Sequence, residues 1–506
     1  MTVSPDNAGT VSVNSVPVTA YPYYKSYETA ANVLLSAIPR EGWMFTRWKG
    51  SILSDENPLN VDVNCVISIA AEFTPDPEFS GYQAYISHIS GGYQEWRDFL
   101  QVDNTGGNSA RVMITLYGED GSEVYSKVHN IAPSDKSLIN LKNLSSKAMT
   151  GVVAYSNPDL LIRQSQENTN GGGITEFILP DTLGATLGFF YSNFTDSLAY
   201  NGLAIANFGS TATTVTLTAM GNGGALASLN IQLGARQKTI GTHDTWFPGI
   251  ASGDLRWIKA TGTSPYLAGV AITGDASGGL MVFTQALQVS TGLKSSNYQA
   301  YISHITNGYA EWRDFLQVDN TGSAATQIQV ILYGENGSQV YSGVHNTPAG
   351  TRSLIDLKAL STDVMTGMVT FSSQDLLIRQ SQENTYGGGI TEFILPQSLG
   401  STLGFFYSDF TDSLTFDGLA LTNFNQSAVT VTLTAMGSGG ALDSVQILLG
   451  PNQKTIGNHD AWFPGIDSGD LQWIRAESTG ANLAGVALTG NWSGSLMVFT
   501  RGQVLE

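Results

Sequence analysis

Two tetrads bring carboxylates, a guanidinium and an indole together within four residues: Glu95-Trp96-Arg97-Asp98 and Glu311-Trp312-Arg313-Asp314. A glycosidase needs two carboxyl groups facing each other roughly 5 to 10 Å apart, and indoles stack on sugar rings, so this is the sharpest enzymatic reading the chain offers. The competing reading is structural. In it Trp96 fills the mouth of a β-sandwich while Glu95, Arg97 and Asp98 pair at the surface. No other motif supports catalysis: there is no Gly-x-Ser-x-Gly elbow, no His-Glu-x-x-His, no Gly-Lys dipeptide and hence no P-loop, and no Gly-x-Gly-x-x-Gly opening a helix. The six His form three pairs (His88/His304, His129/His345, His243/His459), none at metal-ligand spacing from another. "GEDGSE" is half a calcium loop at best, without the twelve-residue span and closing Glu of an EF-hand, and reads as a hairpin tip. The expectation is a chain with no catalytic residue, no metal and no cofactor.

A second polar cluster is harder to dismiss. "LLIRQSQENTNGGGITEFILP" (160–180) recurs as "LLIRQSQENTYGGGITEFILP" (376–396), with Asn170 replaced by Tyr386. In a strand, one face of "RQSQEN" carries Arg163, Ser165 and Glu167 and the other Gln164, Gln166 and Asn168. Neither face can enter an apolar core unpaired, because each orphaned polar group costs roughly 1 to 3 kcal/mol. The strand is therefore either solvated or hydrogen-bonded to partners. A solvated strand should drift between copies, yet 21 of the 22 positions from Asp159 to Pro180 match their counterparts. Recent gene conversion gives the same result. Otherwise Arg163, Gln164, Glu167 and Asn168, with Arg379, Gln380, Glu383 and Asn384, are candidates for a module interface, favoured between adjoining modules of one unit, or for a ligand site. The Gly171–Gly173 run would let another backbone approach closely.

The elements that position these residues are set by repetition. Tyr85 and Tyr301, Trp96 and Trp312, Arg163 and Arg379, Trp257 and Trp473 all stand 216 residues apart, with no gap from Tyr82 to about Phe283. A weaker repeat lies inside each unit: "DFLQVDNTGGNSARVMITLYGEDGS" overlays "NGLAIANFGSTATTVTLTAMGNGGA", so each unit is an A and a B module of roughly 100 residues, the size of a β-sandwich. "ATTVTLTAM" alternates Val and Leu with Thr, as a half-buried antiparallel strand must. Asp-Gly and Asn-Gly in "GEDGSEVYS" and "GENGSQVYS" are hairpin turns, and "HDTWFPGI" reads as a turn or single helical turn plugging a sandwich end. All nine positions from Gly107 to Thr115 differ from their partners, but Val112 and Ile114 only exchange with Ile328 and Val330, so the inward face keeps its volume.

Composition agrees. Charged residues are 13% of 506, about half the usual ~25%, and Gly is abundant at 56. A formal charge of −19 makes nucleic acid and anionic membranes poor partners. No run of 18 apolar residues occurs, and Met1 opens neither a basic nor an apolar leader, so no membrane insertion is expected. Cys65, alone in the alternating "VNCVISIAAEF", excludes a disulfide framework and reads as a small buried hydrophobe.

"YISHISGGYQEWRDFLQVDNTG", "VMITLYGEDGS", "WFPGIASGDLRWIKA" and "LAGVAITGDASGGLMVF" together resemble a widespread β-sandwich repeat of secreted bacterial proteins, a resemblance of architecture that implies no defined ligand. From Ala8 to Phe73, the Phe45/Trp48/Gly50 core, the "ENPL" turn and the closing "AEF" strand resemble the divergent internalin B-type repeat of bacterial surface proteins. That resemblance implies a compact β-grasp-like spacer and an extracellular setting; the insert "VPVTAYPYYKSYETAAN" departs from its pattern.

The resulting expectation is an all-β chain: a β-grasp-like module (1–76), then four tandem Ig-like antiparallel sandwiches, A1 (82–181), B1 (187–288), A2 (298–397) and B2 (403–503). It would be a non-catalytic adhesin, stalk or scaffold at a bacterial surface, with an extracellular glycan or a surface protein as partner. The alternative is the accessory carbohydrate-binding region of a secreted hydrolase, with Tyr85, Trp96, Tyr301 and Trp312, and also Trp257, as a candidate aromatic platform.

Overall fold

The computed structural model describes the chain apart from residues 29, 171, 193–199, 276–278, 290–297, 387, 409–413 and 506. It is all-β, with 57% of residues in strands and 4% in helices, arranged as ten small sheets. Strict alternation produces what it should: Thr213–Gly221 buries every second residue, and Val429–Gly437 does so as far as Ala435. The "DG" and "NG" tips close the hairpins of Ala110–Tyr117 with Glu123–Ile131 and of Thr326–Tyr333 with Gln339–Thr347. The "HDTW" and "HDAW" stretches are single helical turns, His243–Trp246 and His459–Trp462, capped by Thr242 and Asn458.

Each A module pairs an outer sheet with an inner one. In A1 the inner sheet runs Lys136–Asn140, Trp96–Asn104, Leu160–Asn168, Ile174–Ile178, and A2 repeats that order with Arg352–Asp356, Trp312–Asn320, Leu376–Asn384, Ile390–Ile394. The inner sheet of B1 has the same plan (Lys238–Thr242, Tyr200–Asn207, Leu267–Gly274, Met281–Gln285), and B2 repeats it. A further likeness joins A to B. Asn104 donates its amide to the carbonyls of Asn108, Ile131 and Ala132, and Asn207 does the same for Thr211, Leu233 and Gly234. Asn320 and Asn423 make the equivalent brackets.

The four sandwiches do not form an extended array. The edge strands Ile174–Ile178, Met281–Gln285, Ile390–Ile394 and Met497–Arg501 each touch two of the others, A1 to B1 to A2 to B2 and back to A1. They surround a narrow axial cavity of about 50 Å³ lined by Glu176, Thr284, Gln285, Glu392, Thr500 and Arg501 among others. Within a unit the core is continuous: Val270, Ile272 and Phe283 of B1 pack with Leu100, Ile162 and Phe177 of A1. Between units the apolar contacts include Leu161 with Phe406 and Trp473, Phe190 and Trp257 with Leu377, Phe99 and Ile174 with Val498, and Leu280 and Val282 with Ile390. Closure covers four edges that would otherwise stand open for pairing with other chains, whereas in a linear array each repeat meets only its sequence neighbours.

The first 76 residues form two facing sheets: Thr2–Ser4, Ile69–Pro75 and Trp43–Gly50 against Val16–Pro17, Gly9–Val13, Ala31–Pro39 and Leu59–Val63. Trp48 is fully buried between them and donates to the Glu56 carbonyl at 2.9 Å, which fixes the "ENPL" turn. The described residues of this segment contain no helix for a β-grasp sheet to wrap. Cys65 is exposed rather than buried, because one strand ends at Val63 and the next begins at Ile69, leaving it in the crossover between sheets.

Candidate functional site

The strand Leu160–Asn168 is buried along all nine residues, and so is Leu376–Asn384. Its two faces have different destinations. Leu160 and Ile162 enter the core of A1, and beyond them the same face carries Gln164 and Gln166 into the sandwich end. There Gln164 donates to the His88 carbonyl at 2.6 Å and Gln166 donates to Asp98, which also accepts from the Ser90 amide at 3.1 Å and from the Ser90 hydroxyl. Burial pushes the Asp98 carboxyl above its ordinary range, against the pull of those hydrogen bonds. Burial and the neighbouring Lys238 ammonium hold His88 well below its ordinary value, so its imidazole is neutral.

The other face leaves the module. Arg163 pairs with Glu176 at 2.6 Å, with both side chains at zero exposure. It also donates to Gln101 Oε1 at 2.7 and 3.2 Å and to Ser408 Oγ at 2.8 Å, and its guanidinium lies over the Phe406 ring at 4.4 Å. Ser408 and Phe406 belong to B2, in the opposite unit. The mirror set lacks only the Nε bond: Arg379 pairs with Glu392 at 2.6 Å, donates to Gln317 at 3.0 Å and to Ser192 of B1 at 2.7 Å, and stacks on Phe190 at 4.3 Å. Burial lowers Arg379 to about 10, which leaves it charged at neutral pH. Arg163 and Arg379 thus join A1 to B2 and A2 to B1, across the two units and not inside one unit as favoured from the sequence, while the other candidate residues bond within their own module. The reason is geometric: A and B of one unit already share a core, so the outward face of the inner sheet is left for the opposite unit.

Glu167 pairs with Arg97 and Glu383 with Arg313 at 3.1 Å, both at the margins of this network. Asn168 and Asn384 accept from the amides of residues 170 and 386 at 3.0 Å, shaping the turns. Gly172 has φ +79° with open space beside it, and Gly173 is buried; Gly171 lies outside the described residues.

The "EWRD" tetrads are not surface clusters. Asp98 and Asp314 are fully buried, Arg97 and Arg313 keep part of their side chains in solvent while pairing with Glu167 and Glu383, and Glu95 and Glu311 are half-buried. The candidate aromatic platform is not open either. Tyr85 and Tyr301 pack on Phe208 and Phe424 of the neighbouring B module at 5.0 and 4.9 Å, and Trp96 and Trp312 lie against Phe283 and Phe499. Trp257 and Trp473 are entirely buried.

Exposed aromatics occur elsewhere. A cleft of about 580 Å³ opens between A2 and B2, lined by Tyr309, Glu311, Trp312, Asn384, Phe416 and Trp492 among others. Trp492 is 70% exposed, Tyr309 61%, and Tyr386, two residues past Asn384, 87%. Reading the chain for matches between copies missed this site, whose signal lies in the mismatches: "GNWSGS" against "GDASGG", and Tyr386 against Asn170. Among the described residues no three His, Cys, Asp or Glu side chains converge as a metal site requires, and no helix is long and apolar enough to cross a membrane.

No protein-family model matches the chain, and no curated protein matches it. The crystal structure of a tetra-tandem repeat in the extending region of a large adhesion protein aligns with 79% of this chain and 93% of its own, at 13% identity and a TM-score of 0.10. A TM-score that low carries no structural argument.

Proposed function

We propose that the chain is a non-catalytic recognition scaffold of the adhesin type, acting outside a bacterial cell or on its surface. The observation that supports it best is where the ionisable groups go. The carboxylates suited to acid–base work are committed to structure: Asp98 to Ser90 and Gln166, Glu167 to Arg97, and Glu176 to Arg163 and Ser408. A body held rigid by buried networks, with open aromatic side chains on its connecting loops, is built to present a surface. The ring arrangement favours a compact head over a spacer.

The test uses the full chain, labelled and applied to bacterial and host cell surfaces, alongside a reducing-sugar assay on soluble polysaccharides. Saturable adherence without sugar release is expected. Sugar release abolished by Glu95→Gln or Glu311→Gln, or no adherence to any surface, overturns the reading.

A further inference from the structure

The two units share most residues at the A–B junction, with Thr306, Asn307, Phe416, Leu488 and Asn491 standing where the first unit has Ser90, Gly91, Tyr200, Ile272 and Asp275. Tyr93, Glu95, Trp96 and Asn168 stand where Tyr309, Glu311, Trp312 and Asn384 stand in the second. The second unit adds exposed aromatic side chains on two loops. In the second unit Trp492 and Tyr386 replace Ala276 and Asn170, and those loops touch: the Gly389 amide donates to the Gly494 carbonyl at 3.0 Å. Trp492 therefore lines the cleft, and Tyr386 stands on the loop that adjoins it.

The Trp492 loop is ordered from within. Asn491 Oδ1 accepts from the amides of Ser495 and Leu496 at 3.1 and 3.2 Å, and its Nδ2 donates to Ser495 Oγ at 2.9 Å. Phe416 meets the indole edge to face, with centroids 5.0 Å apart, and holds it upright while 70% of it stays exposed. Exposing a Trp on a tied-down loop sets aside the burial of an aromatic, among the larger apolar gains available to a fold.

Charge narrows the ligand. The lysine lining the cleft, Lys454, is committed: it faces His304 Nδ1 at 3.2 Å and donates to the Ile305 carbonyl at 2.8 Å, and burial lowers it to about 8. Glu311 and Glu335 line the same cleft in a chain of net charge −19, so a polyanion is repelled. A flat indole beside carboxylate and amide acceptors suits a ring with an apolar C–H face and hydroxyl donors at its edge.

We infer that the cleft between A2 and B2 binds the pyranose rings of an uncharged polysaccharide, stacked on Trp492, and that the corresponding face of the first unit does not. This rests on the recognition reading above and names its ligand class. The test is affinity electrophoresis of the full chain in gels containing soluble β-glucan, galactomannan or starch, with polygalacturonate as the anionic comparison. At least one neutral polymer should retard the chain. Trp492→Ala should weaken that retardation at least 10-fold with an unchanged melting temperature, Tyr386→Asn should weaken it by a smaller factor, and Tyr93→Ala in the first unit should leave it intact. No retardation by any neutral polymer, retardation indifferent to Trp492→Ala, retardation by polygalacturonate, or Trp492-dependent capture of a basic peptide in place of sugar each overturns the inference. If Trp492→Ala leaves surface adherence of the full chain intact, the inference falls while the recognition reading stands.

Discussion

Replacing Arg163 with Ala is expected to destabilise the fold by about 3 kcal/mol and to open one junction of the ring while sparing its mirror image. The substitution removes the ion pair to Glu176, the bonds to Gln101 and Ser408 and the stack on Phe406, all in a setting with no solvent access. Stranding one member of a buried pair costs ~3–5 kcal/mol. The lower end applies because Glu176 keeps acceptor bonds from Ser408 Oγ at 2.8 Å and Ser165 Oγ at 3.2 Å. Against a total stability of ~5–15 kcal/mol for a domain, that is a large fraction. Replacing Arg163 and Glu176 together with Met should return to within roughly 1 kcal/mol of the parent, since an apolar pair of similar volume avoids both desolvation costs. Urea titration gives the magnitude and hydrogen exchange the location. Amides of Thr402–Phe406 and Trp473–Ser478, which face Leu161 across the A1–B2 contact, should lose protection, while their counterparts in Thr186–Phe190 and Leu255–Gly262 keep it. Arg379→Ala should reverse the pattern. A cost under about 1 kcal/mol, equal deprotection at both junctions, or deprotection centred on Met281–Gln285 would refute the reasoning.

Three further outcomes follow from single residues. Gly337 sits at φ +78° with the Pro451 carbonyl in the space a Cβ would take, so Gly337→Ala should cost ~1–3 kcal/mol; an unchanged melting temperature would show that the A hairpin tip does not seat on B. Asp417 replaces the Asn found at residue 201, and burial, with the nearby Glu176 carboxylate, pushes it up to about 7. Its unfolded value is about 4, so the folded state holds the extra proton between those limits. Its contribution to stability is therefore greatest below about pH 4, declines as pH rises towards 7 and is flat above that. Asp417→Asn should remove the decline, so its urea midpoint should exceed the parent's by more at pH 8 than at pH 5; an equal gap at both would contradict it. His304 acts oppositely: burial, with Lys454 beside it, holds it neutral, so stability falls as pH drops below about 6.5.

The strands, hairpins and helical turns were legible because each rests on a short-range rule, alternation or turn chemistry, that "ATTVTLTAM" or "GEDGS" states locally. The burial of "RQSQEN" was legible too, since polar residues on both faces leave few options. Its partner was not. Ser192 and Ser408 are single hydroxyls with no pattern around them, and which module faces Arg163 is decided by how four sandwiches close, a long-range outcome that no local period encodes. The Asn104 and Asn207 brackets were visible as "DNTG" and "ANFG" only to a reader already expecting a shared loop. Cys65 was misplaced because apolar alternation was carried through a crossover where one strand had already stopped.

The near-identity of the two "RQSQEN" segments follows from that closure. Each inner strand has no idle face: one set of side chains satisfies Asp98 and the His88 carbonyl inside its own module, and the alternate set satisfies Glu176 on the adjoining strand and Ser408 across the junction. A change on either face leaves a buried polar group without its partner, at ~1–3 kcal/mol each. The same constraint reaches the neighbouring inner strand, where Trp96–Asn104 and Trp312–Asn320 are identical at all nine positions. Gene conversion would level a stretch of sequence without regard to burial. Here the one difference in the 22-residue segment falls at Asn170, one of only two residues there that are exposed among those described. The outer strand Ala110–Tyr117 has changed freely on its solvent face. Sequence divergence between the units therefore follows exposure, and where it has added new surface chemistry, at Tyr386 and Trp492, it has done so on the two loops that meet at one cleft.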